Sequence, residues 1–104
     1  MDLKDKRVVV TGGGTGIGRG VALGFAAEGS HVAICGRRKE PLAETASLHT
    51  GETPVLTKTC DVADRDSTGE FFSWAEETLG GIDIIVINAE KIGVTGIAMT
   101  WSTS

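Results

Sequence analysis

Val8, Val9 and Val10 run without interruption into Thr11-Gly12-Gly13-Gly14-Thr15-Gly16-Ile17-Gly18, and a helical pattern begins inside that loop. This junction constrains the chain more than any other feature. A continuous β-branched run, in place of a polar and apolar alternation, suits a strand covered on both faces, which is the habit of parallel sheets. From Gly16 to Glu28 the apolar residues Ile17, Val21, Leu23 and Phe25 largely follow helical spacing, and Gly29 is a natural stop just past the last turn. Of the 15 glycines in 104 residues, 8 lie from Gly12 to Gly29. With only 2 prolines and 40% apolar residues, the excess of glycine fits neither collagen nor a disordered chain, so these glycines have a local purpose.

The same alternation continues. His31 to Cys35 reads as a second strand, and Pro41 opens a helix through Leu42, Ala43 and Leu48 toward Gly51. Pro54 to Asp61 reads as a third strand. Asp64 to Leu79 reads as a third helix with Asp64 as N-cap, Phe71, Phe72, Ala75 and Leu79 facing inward, and Gly80-Gly81 ending it. Ile82 to Asn88 is a fourth buried strand. Strands and helices alternating in this way predict an α/β fold: a truncated, Rossmann-like, doubly wound sheet of four parallel strands in the order 3-2-1-4 with three helices.

At this length the expectation is one domain with one core and no separate substrate domain. Residues 1–89 are expected to form this α/β unit, and residues 90–104 a tail or edge strand. A strand near 92–99 would follow the fourth too closely for a parallel crossover, which needs roughly a dozen residues or more. It is expected to pair antiparallel, swap to another chain or stay loose. Without such cover Ile84 to Ile87 would be a bare apolar edge, so a hairpin or a homo-oligomer through the exposed sheet edge is expected, with low stability for an isolated monomer.

Charge excludes some partners. The chain has 10 Lys and Arg against 14 Asp and Glu, a net charge of −4, and no basic stripe to neutralise a phosphate backbone, so nucleic acid is not expected. The start, Met-Asp-Leu-Lys-Asp-Lys-Arg, is charged where a secretory signal is apolar, and no run approaches the ~18 apolar residues of a membrane span. A cytoplasmic chain with no membrane partner is expected. Cys35 and Cys60 are read as reduced core thiols, and His31 and His49 as strand-start and helix-end residues, leaving no metal site. Trp74 and Trp101 are packing candidates, and Glu76 and Glu77 a solvated helix face.

The chemistry gathers at the carboxyl ends of the strands. Gly12, Gly16 and Gly18 stand in the spacing G-x-x-x-G-x-G, and neither G-x-G-x-x-G nor a Walker loop is present. A backbone without Cβ can turn sharply and approach a pyrophosphate, which the free amides and dipole of a helix start then bind.

Thr11 to Gly18 resembles the cofactor loop of the short-chain dehydrogenase/reductase family, and two later segments match in order: Cys60-Asp61-Val62, and Ile82-Asp83-Ile84-Ile85-Val86-Ile87-Asn88-Ala89-Glu90. The resemblance covers residues 1–89, which it implies form an NAD(P)-binding, Rossmann-like half-domain. It implies a dinucleotide held by Gly12, Gly14, Thr15, Gly16, Ile17, Gly18, Asp61, Val62, Asn88 and Ala89, with the Asp61 carboxylate accepting from the adenine amino group. After the second strand come Gly36, Arg37, Arg38 and Lys39, with no acid to hold a ribose 2′-hydroxyl. Arg37 occupies the position where NADP-dependent members carry their phosphate-binding arginine, and a guanidinium fork suits a 2′-phosphate. NADP is therefore expected over NAD.

The departures concern catalysis. The family's Asn-Asn-Ala-Gly reads Ile87-Asn88-Ala89-Glu90, losing one amide and placing a carboxylate where glycine allows close approach. The family's Tyr-x-x-x-Lys has no counterpart, since the chain has no tyrosine, and Lys91, Ser102 and Ser104 cannot replace it. No catalytic residue is assigned. The expected function is NADP(H) binding by a Rossmann-type domain without catalysis; the alternative is an NADP-dependent short-chain oxidoreductase acting on a carbonyl or alcohol, of which this chain is a fragment or isoform.

Overall fold

A computed structural model describes residues 2–88 and, as backbone, residues 97–101. The elements are β1 (Arg7–Thr11), α1 (Gly16–Ala27), β2 (His31–Gly36), α2 (Lys39–Leu48), β3 (Leu56–Thr59), α3 (Arg65–Leu79), β4 (Ile84–Asn88) and β5 (Ile97–Trp101). They form one sheet in the order β3-β2-β1-β4-β5. The first four strands are parallel in the expected order, with Val9 of β1 registered on Ala33 of β2 and Ile85 of β4.

The valine run is explained by the two layers that cover it. Val8 and Val10 face one side, packed with Ala22 and Ala26 of α1, Leu42 of α2, and Ile84 and Val86 of β4. Val9 faces the other with Ala33, Cys35, Cys60, Phe71 and Ala75. All three valines are fully buried, so neither face of β1 meets water. Phe71 anchors the second layer, its ring centroid 5.4 Å from Phe72 and 6.0 Å from Trp74.

Two helices turn differently from their apolar pattern. The buried line of α1 is Gly18, Ala22 and Ala26, while Ile17 is exposed and Val21 and Phe25 only flank the core. Small residues at every fourth position let the helix lie close to the sheet, and that close approach decides its rotation. In α2, which starts two residues before Pro41, Leu42 and Thr45 are buried, whereas Ala43 and Leu48 face water. Pro41 is tolerated because N–H groups of the first turn have no helical acceptor. At α3, Asp64 caps as expected, its Oδ1 accepting from the Asp66 N–H at 3.0 Å.

The edge strand is antiparallel to β4 and lies at Ile97–Trp101, later than the expected 92–99, with Ile84 opposite Trp101 and Asn88 opposite Ile97. Only eight positions separate it from β4, too few for a parallel crossover. The expected pairing of the β4 edge is thus met within the chain, and the sheet's open edge moves to β5. Residues 92–96 of the expected strand lie outside the described residues.

At the opposite end of the sheet, Arg7 grips Asp83. Its Nε and Nη2 donate to the two carboxylate oxygens at 2.8 and 2.9 Å, its backbone N–H donates to Oδ2 at 2.9 Å, and its Nη1 donates to the Gly80 carbonyl at 2.7 Å. The fork joins the start of β1 to the turn between α3 and β4. Among the described residues no helix is long and apolar enough to cross a membrane.

Candidate functional site

Because β1, β2 and β4 are parallel, their carboxyl ends share one edge of the sheet, and the chain order reverses between β1 and β4. Open α/β sheets bind ligands at such a reversal. Here a cleft of about 650 Å³ opens between the glycine loop, the segment after β2 and the residue that ends β4. Gly12, Gly14 and Thr15 form one wall, Gly36, Arg37 and Arg38 another, with Pro41 and Leu42 of α2, Cys60, Val62 and Asn88 completing the lining.

The glycine loop is held by close contact. Gly12 has φ +68°, a conformation that L side chains rarely adopt. A Cβ at Gly18 would fall 1.9 Å from the Gly12 carbonyl oxygen, and one at Gly13 would fall 2.6 Å from Ile34 Cβ. The loop therefore lies directly against β2 and against the first turn of its own helix, and the Gly13 N–H donates to the Cys35 carbonyl at 3.1 Å. Thr15 is the N-cap of α1 in extended conformation, yet it makes no side-chain capping bond, and the first turn contains no acid. Unlike α3, which Asp64 caps, α1 presents the positive end of its dipole without a side-chain cap or a first-turn acid of its own.

Two residues that sequence reasoning passed over fix the loop from behind. Arg19 of α1 donates to the Gly14 carbonyl at 2.7 Å, to Thr45 Oγ1 at 2.9 Å and to Glu44 at 3.0 Å. The Thr45 hydroxyl, fully buried on α2, lies 2.9 Å from the Gly13 carbonyl oxygen. The signal available in the sequence was the position of Thr45 three residues after Leu42, on the helix face that packs inward.

Asn88 closes the far side. Its backbone N–H donates to Thr11 Oγ1 at 3.1 Å and its Nδ2 to the Gly12 carbonyl at 3.4 Å. Asn88 is 7% exposed, and its Oδ1 is a buried acceptor without a donor among the described residues. A buried, unpaired amide oxygen lining a cleft is suited to a donor brought by a ligand.

The remaining expected site residues are distributed around this core. Gly16 has φ +57° and opens α1, and Ile17 is exposed beside it. Arg37 and Arg38 are both exposed at the cleft, which gives Arg38 a place that its sequence neighbourhood did not suggest. Val62 is exposed in the lining, while Asp61, just before it, uses Oδ1 to accept the Ala63 N–H at 3.0 Å. Ala89 lies outside the described residues. Among the described residues that line the cleft there is no carboxylate.

Beneath the cleft, Cys35 and Cys60 are neighbours, both free and buried. Cys35 is registered on Lys58, so Cys60 falls two residues further along on the same face. Burial, reinforced by the neighbouring Cys60, pushes the Cys35 thiol up to about 12. Among the described residues no group of three metal-ligating side chains occurs.

The comparisons with known proteins agree with this geometry. The family model for short chain dehydrogenase matches residues 6–101. An uncharacterised oxidoreductase of Staphylococcus aureus (strain USA300) is 37% identical over 90 residues, which cover 86% of this chain and 38% of that protein. A short chain dehydrogenase from Bacillus anthracis superimposes with a TM-score of 0.77 at 39% identity, over 84% of this chain and 35% of that one. A short-chain dehydrogenase/reductase of unknown function from Caenorhabditis elegans, solved with cofactor, gives a TM-score of 0.75 at 32% identity, over 82% and 33% of the respective chains. The chain thus spans well under half the length of the proteins it matches. The glycine loop, the parallel sheet in its expected order and the family match over nearly the whole sequence lead to one conclusion: the chain belongs to the short-chain dehydrogenase family.

Proposed function

We propose that this chain binds NADP(H) in the cleft at the carboxyl ends of β1, β2 and β4. The observation that carries the reading is the composition of that cleft among the described residues: the start of α1 without a side-chain cap at one end, and Arg37 and Arg38 at the other, with no carboxylate between them. The residues fit the group. The amides of the Gly14 to Gly18 turn suit the pyrophosphate, and the orphaned Asn88 Oδ1 accepts from a ribose hydroxyl. Arg37 takes the 2′-phosphate with Arg38 beside it, while Asp61 and Val62 serve the adenine. An acid that would favour NAD by holding the 2′-hydroxyl is missing from the described residues of this lining.

When bound, the nicotinamide supplies hydride chemistry. Residues 1–104 contain no tyrosine to partner it, so the chain binds without turning over. A second reading is NADP-dependent oxidation and reduction of a carbonyl or alcohol, favoured by the oxidoreductase relatives and belonging to a polypeptide that supplies Tyr-x-x-x-Lys beyond the matched part. Self-association through the sheet edge would run through β5.

Titration with NADPH and NADH, followed by tryptophan fluorescence and melting temperature, tests the reading. NADPH is expected to saturate at lower concentration than NADH. Arg37→Ala should weaken NADPH by about tenfold to a hundredfold, the worth of charge-assisted hydrogen bonds, and leave NADH unchanged. Absence of a saturable response would overturn the binding claim, and tighter NADH binding would overturn the role of Arg37.

A further inference from the structure

Arg19 and Thr45 form a hydrogen-bonded knot behind the glycine loop, outside the lining of the cleft. We propose that these two side chains are positioning residues that aim the loop's amides, so that phosphate recognition depends on an α2 hydroxyl that never touches the ligand. This inference rests on the dinucleotide reading of the cleft.

Thr45 is fully buried, and its Oγ1 lies within reach of three carbonyl oxygens: Gly13 at 2.9 Å, Pro41 at 3.1 Å and Gly14 at 3.2 Å. A hydroxyl has one proton, so it serves them in turn, Gly13 at the shortest distance. The same oxygen accepts from Arg19 Nε at 2.9 Å, while Arg19 Nη2 holds the Gly14 carbonyl at 2.7 Å and reaches that of Pro41 at 3.3 Å. Glu44 anchors the other arm of the guanidinium at 3.0 Å.

The consequence follows from peptide planarity. In a trans peptide the C=O of one residue and the N–H of the next point in opposite directions. Drawing the Gly13 and Gly14 carbonyls onto Thr45 and Arg19 therefore turns the N–H groups of Gly14 and Thr15 away from α2, and these are two of the residues that line the cleft. Three consecutive glycines have no side chains to hold an orientation of their own. The knot supplies it, and a loop already set before the anion arrives binds at lower entropic cost. The knot also ties the loop to α2, whose amino end follows Arg37 and Arg38, so both ends of the proposed site share one fastening.

The test compares the chain with Thr45→Val, which keeps the shape and removes the hydroxyl, with Thr45→Ser, which keeps the hydroxyl, and with Arg19→Gln. The probes are ADP-ribose, whose pyrophosphate needs the loop, and adenosine 2′-monophosphate, which needs only the Arg37 end. Thr45→Val and Arg19→Gln should each weaken ADP-ribose by about tenfold, the worth of one net hydrogen bond, and leave adenosine 2′-monophosphate unchanged. Thr45→Ser should bind both as the parent does. Equal loss of both probes, or no loss of ADP-ribose, would overturn the proposal. The free protein provides an independent reading: the Gly14 and Thr15 amide resonances should broaden through microsecond to millisecond exchange in Thr45→Val and Arg19→Gln and stay sharp in the parent and Thr45→Ser. If the parent binds neither probe, the dinucleotide reading fails, and loop amides as sharp in both variants as in the parent would then overturn the positioning role by themselves. If Thr45→Val does not fold, Arg19→Gln decides on the same criteria.

Discussion

Gly18 lies so close to Gly12 that a Cβ on it would stand 1.9 Å from the Gly12 carbonyl oxygen and 2.9 Å from Asn88 Nδ2. The obstruction is backbone, which cannot swing aside as a long side chain can, and relieving it means lifting α1 off the loop. Gly18→Ala is therefore expected to destabilise the fold by about 3 kcal/mol, the upper end for forcing one extra carbon into a packed site, and to abolish the NADPH response. Urea unfolding and the fluorescence titration check the two parts. A variant as stable as the parent would refute the packing claim.

The opposite result is expected at Gly20 and Gly24 of α1 and Gly69 of α3. Each is exposed, and a Cβ there meets nothing within 4 Å among the described residues. Alanine in a helix interior is favoured over glycine by about 0.5–1 kcal/mol, chiefly through the unfolded chain's lost freedom. Each substitution should raise the melting temperature by several degrees, on the order of 4–8 °C per kcal/mol at this size, without changing ligand affinity. A fall in melting temperature at any of the three would show a contact that the packing does not contain.

These two sets of glycines show what the sequence could and could not reveal. The cradle was legible because β1, its loop and α1 are contiguous, so one stretch carries strand, turn and helix signals together. The edge strand was legible in its antiparallel direction, since the short connection forbids a crossover, but its position shifted to Ile97–Trp101. Thr45 was not legible, because its partner Gly13 stands 32 positions away and the contact depends on the rotation of α2. The apolar residues Leu42, Ala43 and Leu48 do not define that rotation, since only Leu42 of the three is buried. Cys35 and Cys60 were hidden for a related reason: their contact is made by strand register, not by spacing along the chain.

At the other end of the sheet, the Arg7 guanidinium, hydrogen-bonded to the Asp83 carboxylate and helped by the Arg7 backbone N–H, holds that carboxyl well below its ordinary value of 3.8. A carboxyl whose pKa falls on folding adds stability that is full above its unfolded value and is lost as pH drops through the folded one. Stability should therefore decline from about pH 4 downward. Asp83→Asn should be less stable than the parent at pH 7 and should lose that disadvantage progressively below pH 4, as the parent's own carboxyl protonates. Denaturant melts at a series of pH values measure this, and a difference between the two proteins that is independent of pH would remove Asp83 from the acid response.

Cys35 and Cys60 give the last prediction, because their chemistry is set by burial and by each other. Only a thiolate attacks a disulfide reagent, and burial beside the Cys60 thiol pushes Cys35 up to about 12, so its reactive fraction at pH 8 is on the order of one in ten thousand. Both residues should react with an aromatic disulfide reagent only as fast as the protein opens, and both should react at once in denaturant. NADPH, by stabilising the closed form, should slow the reaction further, and the more so for Cys60, which lines the cleft. The linkage has the opposite sign to that of Asp83. A thiol whose pKa rises on folding contributes stability that is complete below its unfolded value of 9.0 and is lost as pH climbs from there toward 12. Cys35→Ala should leave a protein whose stability falls less steeply across that alkaline window, after its constant cost from the lost side-chain volume is subtracted. Rapid labelling of Cys35 in the folded chain at pH 8 would overturn the burial argument.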